Sequence, residues 1–253
     1  MSVRDTRNEV RTVTQRPPLT PMGTLRWSVV QRLIDEMRPA TVLEVGCGQG
    51  GFGARLAERA DYVGCEPDAE SFAVAQRRIQ PFGGVVLCGT SDLVGDRTFD
   101  LVCAFEVLEH LEDDASALDS WARHLSPGGA LLVSVPAWPD RFGAMDGLVG
   151  HYRRYTPEQL DGLLLKAGCA DVRHALNGWP LGFALEAARN RIASRRGDAR
   201  ESSMAARSAG SGRLFQPKHF AGGAVRVGTA PFTVAQRLRP TVGTGLVAVG
   251  RRV

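Results

Sequence analysis

The first clear hydrophobic pattern in the chain has helical spacing. Apolar side chains recur three or four residues apart at Leu25, Val29, Leu33 and Met37, which predicts an amphipathic helix that ends before Pro39. The preceding residues 1–20 are polar and finish in a Pro-Pro pair. We therefore expect residues 1–20 to form a loose tail.

After this helix, short apolar runs alternate with segments of helical spacing. Strands are predicted over 41–45, 62–65, 85–88, 99–105 and 130–135, and helices over 52–59, 68–79 and 113–124. Short apolar strands separated by helices of about three turns are typical of a parallel sheet covered by helices on both faces. The sequence therefore predicts an α/β fold.

The pattern loosens beyond the fifth strand. Residues 138–155 predict a loop rich in glycine and aromatic residues, and Thr156 begins a helix. Further strands are predicted over 170–176 and 245–249, with a basic insert at 178–240 between them. Within the insert, 189–212 is rich in Ser, Ala, Arg and Gly, so we expect a flexible loop there. Residues 21–253 would then form one domain, with a core over 40–136 and a functional loop over 137–156.

Composition places the chain among ordinary globular proteins. It has 253 residues, of which 43% are hydrophobic and 23% charged. No apolar run approaches the roughly 18 residues that span a bilayer, and residues 1–20 lack the apolar stretch of a secretion signal. We therefore expect no transmembrane segment and a cytoplasmic location. The five cysteines have no zinc-binding spacing, so we expect buried thiols and no metal.

Charge is distributed unevenly. From Asp171 onward there are 14 basic and 4 acidic side chains, a net charge of +10 that leaves −6 on the remainder. Such a region can attract phosphate or an anionic membrane surface, or it can be a solvated surface without a partner. Nucleic acid is not expected, because no aromatic residues that could stack on bases interleave with the charges.

The first strand leads into a glycine-rich turn, Glu44-Val45-Gly46-Cys47-Gly48-Gln49-Gly50-Gly51. Glycine lets the backbone turn sharply and lets a ligand approach closely. This turn also satisfies the G-x-G-x-x-G spacing of dinucleotide binders. Glu66 follows Gly46 by 20 positions, where a carboxylate can bind ribose hydroxyls in either class of protein.

Other residues favour a cationic cofactor. Glu44 would repel a pyrophosphate but suits the amino group and sulfonium of S-adenosylmethionine. Asp92 follows the third strand, where it can accept a hydrogen bond from an adenine amine. The fourth strand continues into Glu106-Val107-Leu108-Glu109-His110, and Ser126-Pro127-Gly128-Gly129 precedes the fifth.

With these motifs, residues 40–170 resemble the class I S-adenosylmethionine-dependent methyltransferases, in the small-molecule branch with E-V-x-G-C-G-x-G and E-V-L-E-H motifs. The resemblance implies a Rossmann-like seven-stranded sheet in the order 3-2-1-4-5-7-6, with strand 7 antiparallel. It also implies a set of cofactor residues: Glu44, Gly46, Gly48 and Gly50 for the methionine part, Glu66 for the ribose, Asp92 and Leu93 for the adenine, and Phe105 and Glu106 at the methyl-transfer site. Phe105 can equally be a core residue.

Histidine suits proton transfer near neutral pH, so His110 and His151 are the candidate catalytic residues. His151 lies in Gly-His-Tyr-Arg-Arg-Tyr, similar to a segment in a sub-branch linked to natural-product, glycan or polyprenyl pathways. Arg153 and Arg154 can clamp an anionic acceptor or form salt bridges within the protein. Arg154 is thus a further candidate at the catalytic site.

Trp138 and Tyr155 complete the expected acceptor site. The leading prediction is methyl transfer to an oxygen or nitrogen of a small molecule that can carry an anionic group. A lipid-linked acceptor at a membrane surface is the main alternative. A nicotinamide oxidoreductase and a cofactor-binding module without turnover are more remote ones.

Overall fold

The computed structural model describes residues 15–195 and 222–253. Its strands are β1 (Thr41–Val45), β2 (Asp61–Glu66), β3 (Val85–Cys88), β4 (Phe99–Phe105), β5 (Leu125–Pro136), β6 (Cys169–Gly178) and β7 (Gly243–Arg252). They form one sheet in the order β3-β2-β1-β4-β5-β7-β6. The first five strands are parallel, and β7 is antiparallel to both of its neighbours. The predicted fold class is confirmed.

Helices cover both faces of this sheet. They are α1 (Pro21–Met37), α2 (Gly53–Ala57), α3 (Ala69–Ile79), α4 (Asp114–Arg123), α5 (Ala144–Val149), α6 (Pro157–Lys166), α7 (Leu181–Arg195) and α8 (Gly222–Ala235). Several begin where a side-chain oxygen accepts a hydrogen bond from a backbone N–H of the first turn. The residues with such oxygens are Thr20, Asp68, Asp113 and Thr156. These caps explain why the sequence predicted the helix starts well.

Alternate residues of the central strands face opposite layers. Val42 of β1 belongs to a core shared with α1, α2 and α3, whereas Leu43 belongs to a core shared with α4 and α6. The strand register places Val45 opposite both Cys65 and Ala104. The carboxyl ends of β1, β2 and β4 are therefore level, and the turns that follow them meet at one edge of the sheet.

Three segments differ from the predictions. Residues 15–20 contact the body of the protein, because Arg16 pairs with Glu58 and Leu19 packs against the core; residues 1–14 lie outside the described part. The predicted loop 138–155 contains the helix α5. The loop predicted over 189–212 is wrong for 189–195, because α7 continues to Arg195; residues 196–221 lie outside the described part.

Two further expectations concern membranes and thiols. Within the described ranges, every helix is too short or too polar to cross a bilayer. Cys47, Cys65, Cys103 and Cys169 are buried as reduced thiols, and Cys88 is exposed.

The polypeptide that follows α8 is anchored by one buried amide. Gln236 accepts a hydrogen bond from the backbone N–H of Gly178 at 2.9 Å, at the end of β6. Its Nε2 donates to the Leu25 carbonyl at 2.9 Å and to the Ser28 hydroxyl at 2.6 Å, both in α1. A single side chain therefore joins the C-terminal segment, α1 and the outermost strand.

We expect Gln236→Ala to lower the free energy of unfolding by about 1–3 kcal/mol, because buried polar groups of α1 and β6 lose their partner. Urea denaturation followed by circular dichroism measures the change. The exposed neighbour offers a matched control, Arg237→Ala, which should change stability by no more than about 0.5 kcal/mol. Equal effects of the two substitutions would show that the Gln236 bonds do not stabilise the fold.

Candidate functional site

The glycine turn after β1 needs its glycines for two different reasons. Gly46, Gly48 and Gly50 all have positive φ angles, of 68°, 55° and 76°, which other residues adopt at a cost. A Cβ at Gly46 would approach Val107 to 2.6 Å, so the turn packs tightly against the segment after β4. A Cβ at Gly48 would meet nothing within 4 Å, so that part of the turn faces open space where a ligand can approach.

Beneath the turn lies a buried carboxylate. Glu44 is almost fully buried in β1, and it accepts a hydrogen bond from the Tyr62 hydroxyl at 2.6 Å. Burial raises the pKa of Glu44 to about 8, since the Tyr62 hydrogen bond offsets only part of the desolvation and the nearby Glu66 raises it further. A positively charged ligand group above this position would favour the ionised form.

Glu66 at the end of β2 is fixed by two backbone groups. One carboxylate oxygen accepts from the N–H of Gly48 at 2.8 Å, and the other accepts from the N–H of Asp68 at 2.9 Å. Each carboxylate oxygen has two acceptor positions, so both can accept a further hydrogen bond. Glu66 is therefore held beside the glycine turn in a geometry suited to a pair of hydroxyls.

Asp92 and Leu93 lie in the turn Ser91–Val94 that follows β3. The Thr90 hydroxyl donates to Asp92 at 2.9 Å, which orients the carboxylate. Leu93 is 56% exposed, an unusual state for leucine. The pair offers an acceptor and an apolar surface at the position expected for an adenine ring.

Phe105 and Glu106 mark the end of β4. The Phe105 ring is half-buried and packs edge-to-face on Phe52, with the ring centroids 4.9 Å apart. Glu106 has a φ of 58°, a strained value for a residue with a side chain. Its carboxylate pairs with Arg26 at 2.6 Å, and its backbone N–H donates to the Ser134 carbonyl at 2.9 Å.

A cluster of three side chains, Glu109, His110 and His151, lies just beyond. One potential ligand atom from each residue lies within 4.8 Å of those of the other two. His151 Nδ1 and the Asp146 carboxylate are 2.7 Å apart, and His110 Nδ1 is 3.2 Å from the Gly150 carbonyl. The two imidazole rings meet edge-to-face at 4.6 Å between centroids.

The ionisation of these groups follows from their burial. Burial lowers the pKa of His110 to about 4, and the neighbouring His151 adds to the effect. Burial also raises the pKa of Glu109 well above its usual range, with a further contribution from Glu106. Burial would raise the pKa of Asp146 as well, but hydrogen bonds from His151, Arg154 and Gly143 outweigh it and lower the pKa to about 2.

Arg154 forms ion pairs within the protein and does not present its guanidinium to an acceptor. Its guanidinium is buried and donates to Asp146 at 2.7 and 2.9 Å and to Glu186 of α7 at 3.0 Å. Of the two interpretations of this arginine, the contacts correspond to a salt bridge within the protein. The ion pairs hold the segment after β5 against α7.

The other expected acceptor residues also have partners within the protein. Arg153 pairs with Asp114 at 2.9 Å, and the buried Tyr155 hydroxyl donates to the same carboxylate at 2.9 Å. The Trp138 indole N–H donates to the Gly243 carbonyl at 2.9 Å. These contacts connect the segment 138–155 to α4 and β7, so these side chains have polar partners without a ligand.

The sequence indicates no role for Tyr62 or Arg26, and it indicates Asp146 only as one possible salt-bridge partner of Arg153 and Arg154, beside Glu109 and Glu112. Asp146 precedes His151 by five residues in the same short segment, and an acid so near a candidate histidine was a usable signal. Arg26 is 80 positions from its partner Glu106, so no local pattern connects them. For Tyr62, the only signal in the sequence is a polar hydroxyl within a strand that is otherwise expected to be buried.

Comparisons with known proteins identify the family of this chain. Residues 24–174 match the family described as "Methyltransferase domain". A probable S-adenosylmethionine-dependent methyltransferase of Mycobacterium tuberculosis H37Rv is 34% identical over 148 residues, covering 57% of this chain and 54% of that protein. The match therefore spans about half the length of the mycobacterial relative.

Two other proteins extend the comparison. A ubiquinone biosynthesis O-methyltransferase of Idiomarina loihiensis is 27% identical over 180 residues, covering 64% of this chain and 73% of that protein. The crystal structure of the N-methyltransferase NodS from Bradyrhizobium japonicum WM9, in complex with S-adenosyl-L-homocysteine, superimposes with a TM-score of 0.57 at 18% identity. That match covers 92% of this chain and 88% of NodS, and it shows a shared fold.

The family match covers more than half of the chain, and its residues include the glycine turn, Glu44, Glu66 and Asp92. The sheet order and the antiparallel seventh strand agree with it. The chain therefore belongs to the S-adenosylmethionine-dependent methyltransferase family.

Proposed function

We propose that this protein transfers the methyl group of S-adenosylmethionine to an oxygen or nitrogen atom of a small-molecule acceptor. The observation that carries the proposal is the position of the cluster Glu109–His110–His151. It begins three residues after Glu106, where the cofactor crevice ends. Groups able to bind or deprotonate an acceptor thus follow directly on the residues assigned to the cofactor.

The residues at the crevice fit the cofactor part by part. Glu66 would accept hydrogen bonds from the two ribose hydroxyls, and the exposed Leu93 would contact the adenine face, with Asp92 accepting from the ring amine. The open space at Gly48 admits the methionine part. Glu44 beneath the turn would ionise in response to its positive charge.

When bound, the cofactor supplies a methyl group on a positively charged sulfur. The task of the protein is then to hold an acceptor atom in line with the carbon–sulfur bond and to lower the cost of removing its proton. His110 and His151 are the residues placed for that second task. Arg154 and Asp146 act through the position they give to His151.

A hydroxylated acceptor is supported by the similarity to a relative named as an O-methyltransferase of ubiquinone biosynthesis. The Gly-His-x-Arg-Arg-Tyr segment supports an acceptor from natural-product or glycan biosynthesis. A nicotinamide cofactor fits less well, because its anionic pyrophosphate, unlike a cationic sulfonium, would gain no attraction from ionisation of the buried Glu44.

We expect His151→Ala to lower kcat by about 100-fold or more, the range found for a residue that moves a proton. The affinity for S-adenosylmethionine should stay within about twofold, because His151 lies beyond the cofactor residues. The assay is transfer of a tritiated methyl group to a panel of phenols, catechols and primary amines, with titration calorimetry for the cofactor.

His174→Ala is the control, because His174 also pairs with a carboxylate, Asp161 at 2.7 Å, but on β6. It should leave both measurements unchanged. If His151→Ala instead lost cofactor affinity and thermal stability together, the residue would support the loop rather than the reaction.

A second candidate function is methylation of a lipid-linked acceptor at an anionic membrane. Three apolar side chains lie strongly exposed on and just after α8: Val227 at 75%, Val234 at 59% and Leu238 at 79%. Their spacing places them on one side of the helix. The exposed residues Arg226 and Arg237 flank them with positive charge, which suits anionic headgroups.

Co-sedimentation with phosphatidylglycerol vesicles tests this second function. We expect the protein to pellet with them at low salt, to pellet less with neutral phosphatidylcholine vesicles, and to lose binding when Val234→Asp and Leu238→Asp are combined. Leu165→Asp changes an exposed apolar residue of α6 and serves as the control. Equal pelleting with both lipids would contradict a preference for anionic headgroups, and pelleting with neither would contradict membrane binding.

A further inference from the structure

The side chains Glu109, His110 and His151 place their potential ligand atoms within 4.8 Å of one another with no hydrogen bond among them, and we propose that they bind a divalent transition-metal cation. The cation would also bind the acceptor oxygen, a role that rests on the proposed function. The sequence predicts no metal, because the five cysteines lack zinc-binding spacing. The ligand set proposed here contains no sulfur.

Glu109 gives the strongest indication. Its side chain is fully buried, and no other described residue donates a hydrogen bond to either carboxylate oxygen. A buried carboxylate without partners is costly, and native proteins compensate it with a donor or a cation. The nearest basic nitrogen, Nε2 of His151, is 3.8 Å from Oε1, which is too far for a hydrogen bond. A metal ion placed between two such atoms would bind both.

The hydrogen bonds of the two histidines also indicate a metal site. His151 Nδ1 lies against the Asp146 carboxylate, and His110 Nδ1 lies against the Gly150 carbonyl. Both partners accept hydrogen bonds, so each Nδ1 carries the proton and the lone pair of each neutral ring is on Nε2. A carboxylate or carbonyl that fixes the tautomer in this way is the usual arrangement around metal-binding histidines. Arg154 in turn holds Asp146 with two hydrogen bonds.

The ligand atoms of this cluster, two imidazole nitrogens and one carboxylate oxygen, indicate which cations it can bind. Two imidazoles and one carboxylate suit Zn²⁺, Co²⁺ or Fe²⁺, whereas Mg²⁺ and Ca²⁺ prefer sites made entirely of oxygen. Three protein ligands leave at least one coordination position for an exogenous oxygen, as in catalytic zinc sites. Glu109 is fully buried, but His110 and His151 are partly exposed, so an acceptor can reach the cluster from the imidazole side.

The location connects the cation to the reaction. The turn Leu108–His110 follows Glu106, and Val107 packs against Gly46 of the cofactor turn. An acceptor hydroxyl bound to the cation loses its proton to solvent more readily, because the cation stabilises the oxygen anion. That oxygen then forms a bond to the methyl carbon as the carbon–sulfur bond breaks. The electron pair goes to sulfur, which becomes a neutral thioether, and the cation is unchanged.

Cobalt binding tests the site directly, because Co²⁺ bound by nitrogen and oxygen ligands absorbs visible light. The full-length protein is treated with dipicolinate, dialysed and titrated with CoCl₂. We expect saturation near one equivalent and displacement by ZnCl₂. Glu109→Gln and His151→Ala should each weaken cobalt affinity by about 10-fold or more, and Asp146→Asn by about 10–100-fold.

The His174→Ala variant is again the control, because its exposed His–Asp pair resembles that of His151 but has no third ligand among the grouped residues. It should keep the cobalt spectrum. Glu109→Gln should also leave the thermostability of the metal-free protein nearly unchanged, since glutamine is close in size to glutamate and no other described residue hydrogen-bonds to the Glu109 carboxyl group.

Absence of stoichiometric Co²⁺ or Zn²⁺ binding, or binding that is equal in all variants, would overturn the metal proposal. Calorimetry with S-adenosylmethionine on the metal-free protein separates this from the proposed function. Cofactor binding without cation binding would remove only the metal. Failure of every form to bind the cofactor would remove the proposed function, whatever the cation does.

Discussion

The buried carboxylate of Glu44 lies at the end of β1, directly below the glycine turn, and the geometry of the site depends on it. A carboxyl group at that depth needs a hydrogen-bond partner, and Tyr62 supplies one from the adjacent strand β2. The turn above requires positive φ angles at Gly46, Gly48 and Gly50 and packs on Val107. Through Val107 the cofactor turn and the segment after β4 are fixed relative to each other.

A second polar network positions the acceptor side. Asp146 binds His151, Arg154 and the N–H of Gly143, and Arg154 continues to Glu186 on α7. Such a buried network loses more than one contact when a single member is removed. It explains why a segment that reads as a loop in the sequence is well tied to the rest of the protein. It also brings His151 next to Glu109 and His110, which lie more than 40 positions earlier in the chain.

Much of the fold was accessible from the sequence because apolar periodicity and helix caps are local signals. The bounds predicted for β1 and β4 are those observed, at Thr41–Val45 and Phe99–Phe105. The end of α7 was missed because its Arg- and Ser-rich turns are held by tertiary contacts, among them the hydrogen bond from the Met145 N–H to Asn190. The position of the cofactor residues could be predicted because they lie at, or just after, the carboxyl ends of the predicted strands. The contact of Arg154 with Glu186 and the burial of Glu109 could not be predicted, since both depend on contacts between distant segments.

In the proposed site, Glu44 must respond to the charge of the cofactor. With a pKa near 8 in the protein alone, Glu44 is mostly protonated at pH 7, and a cationic ligand above it would expel that proton. Affinity should therefore rise with pH and level off above about pH 8. Titration calorimetry with S-adenosylmethionine at pH 7, in buffers of different ionisation enthalpy, counts the protons released. We predict release of about one proton for the parent and for Glu66→Gln, which binds more weakly, and almost none for Glu44→Gln. The same proton count in the parent and in Glu44→Gln would contradict the account.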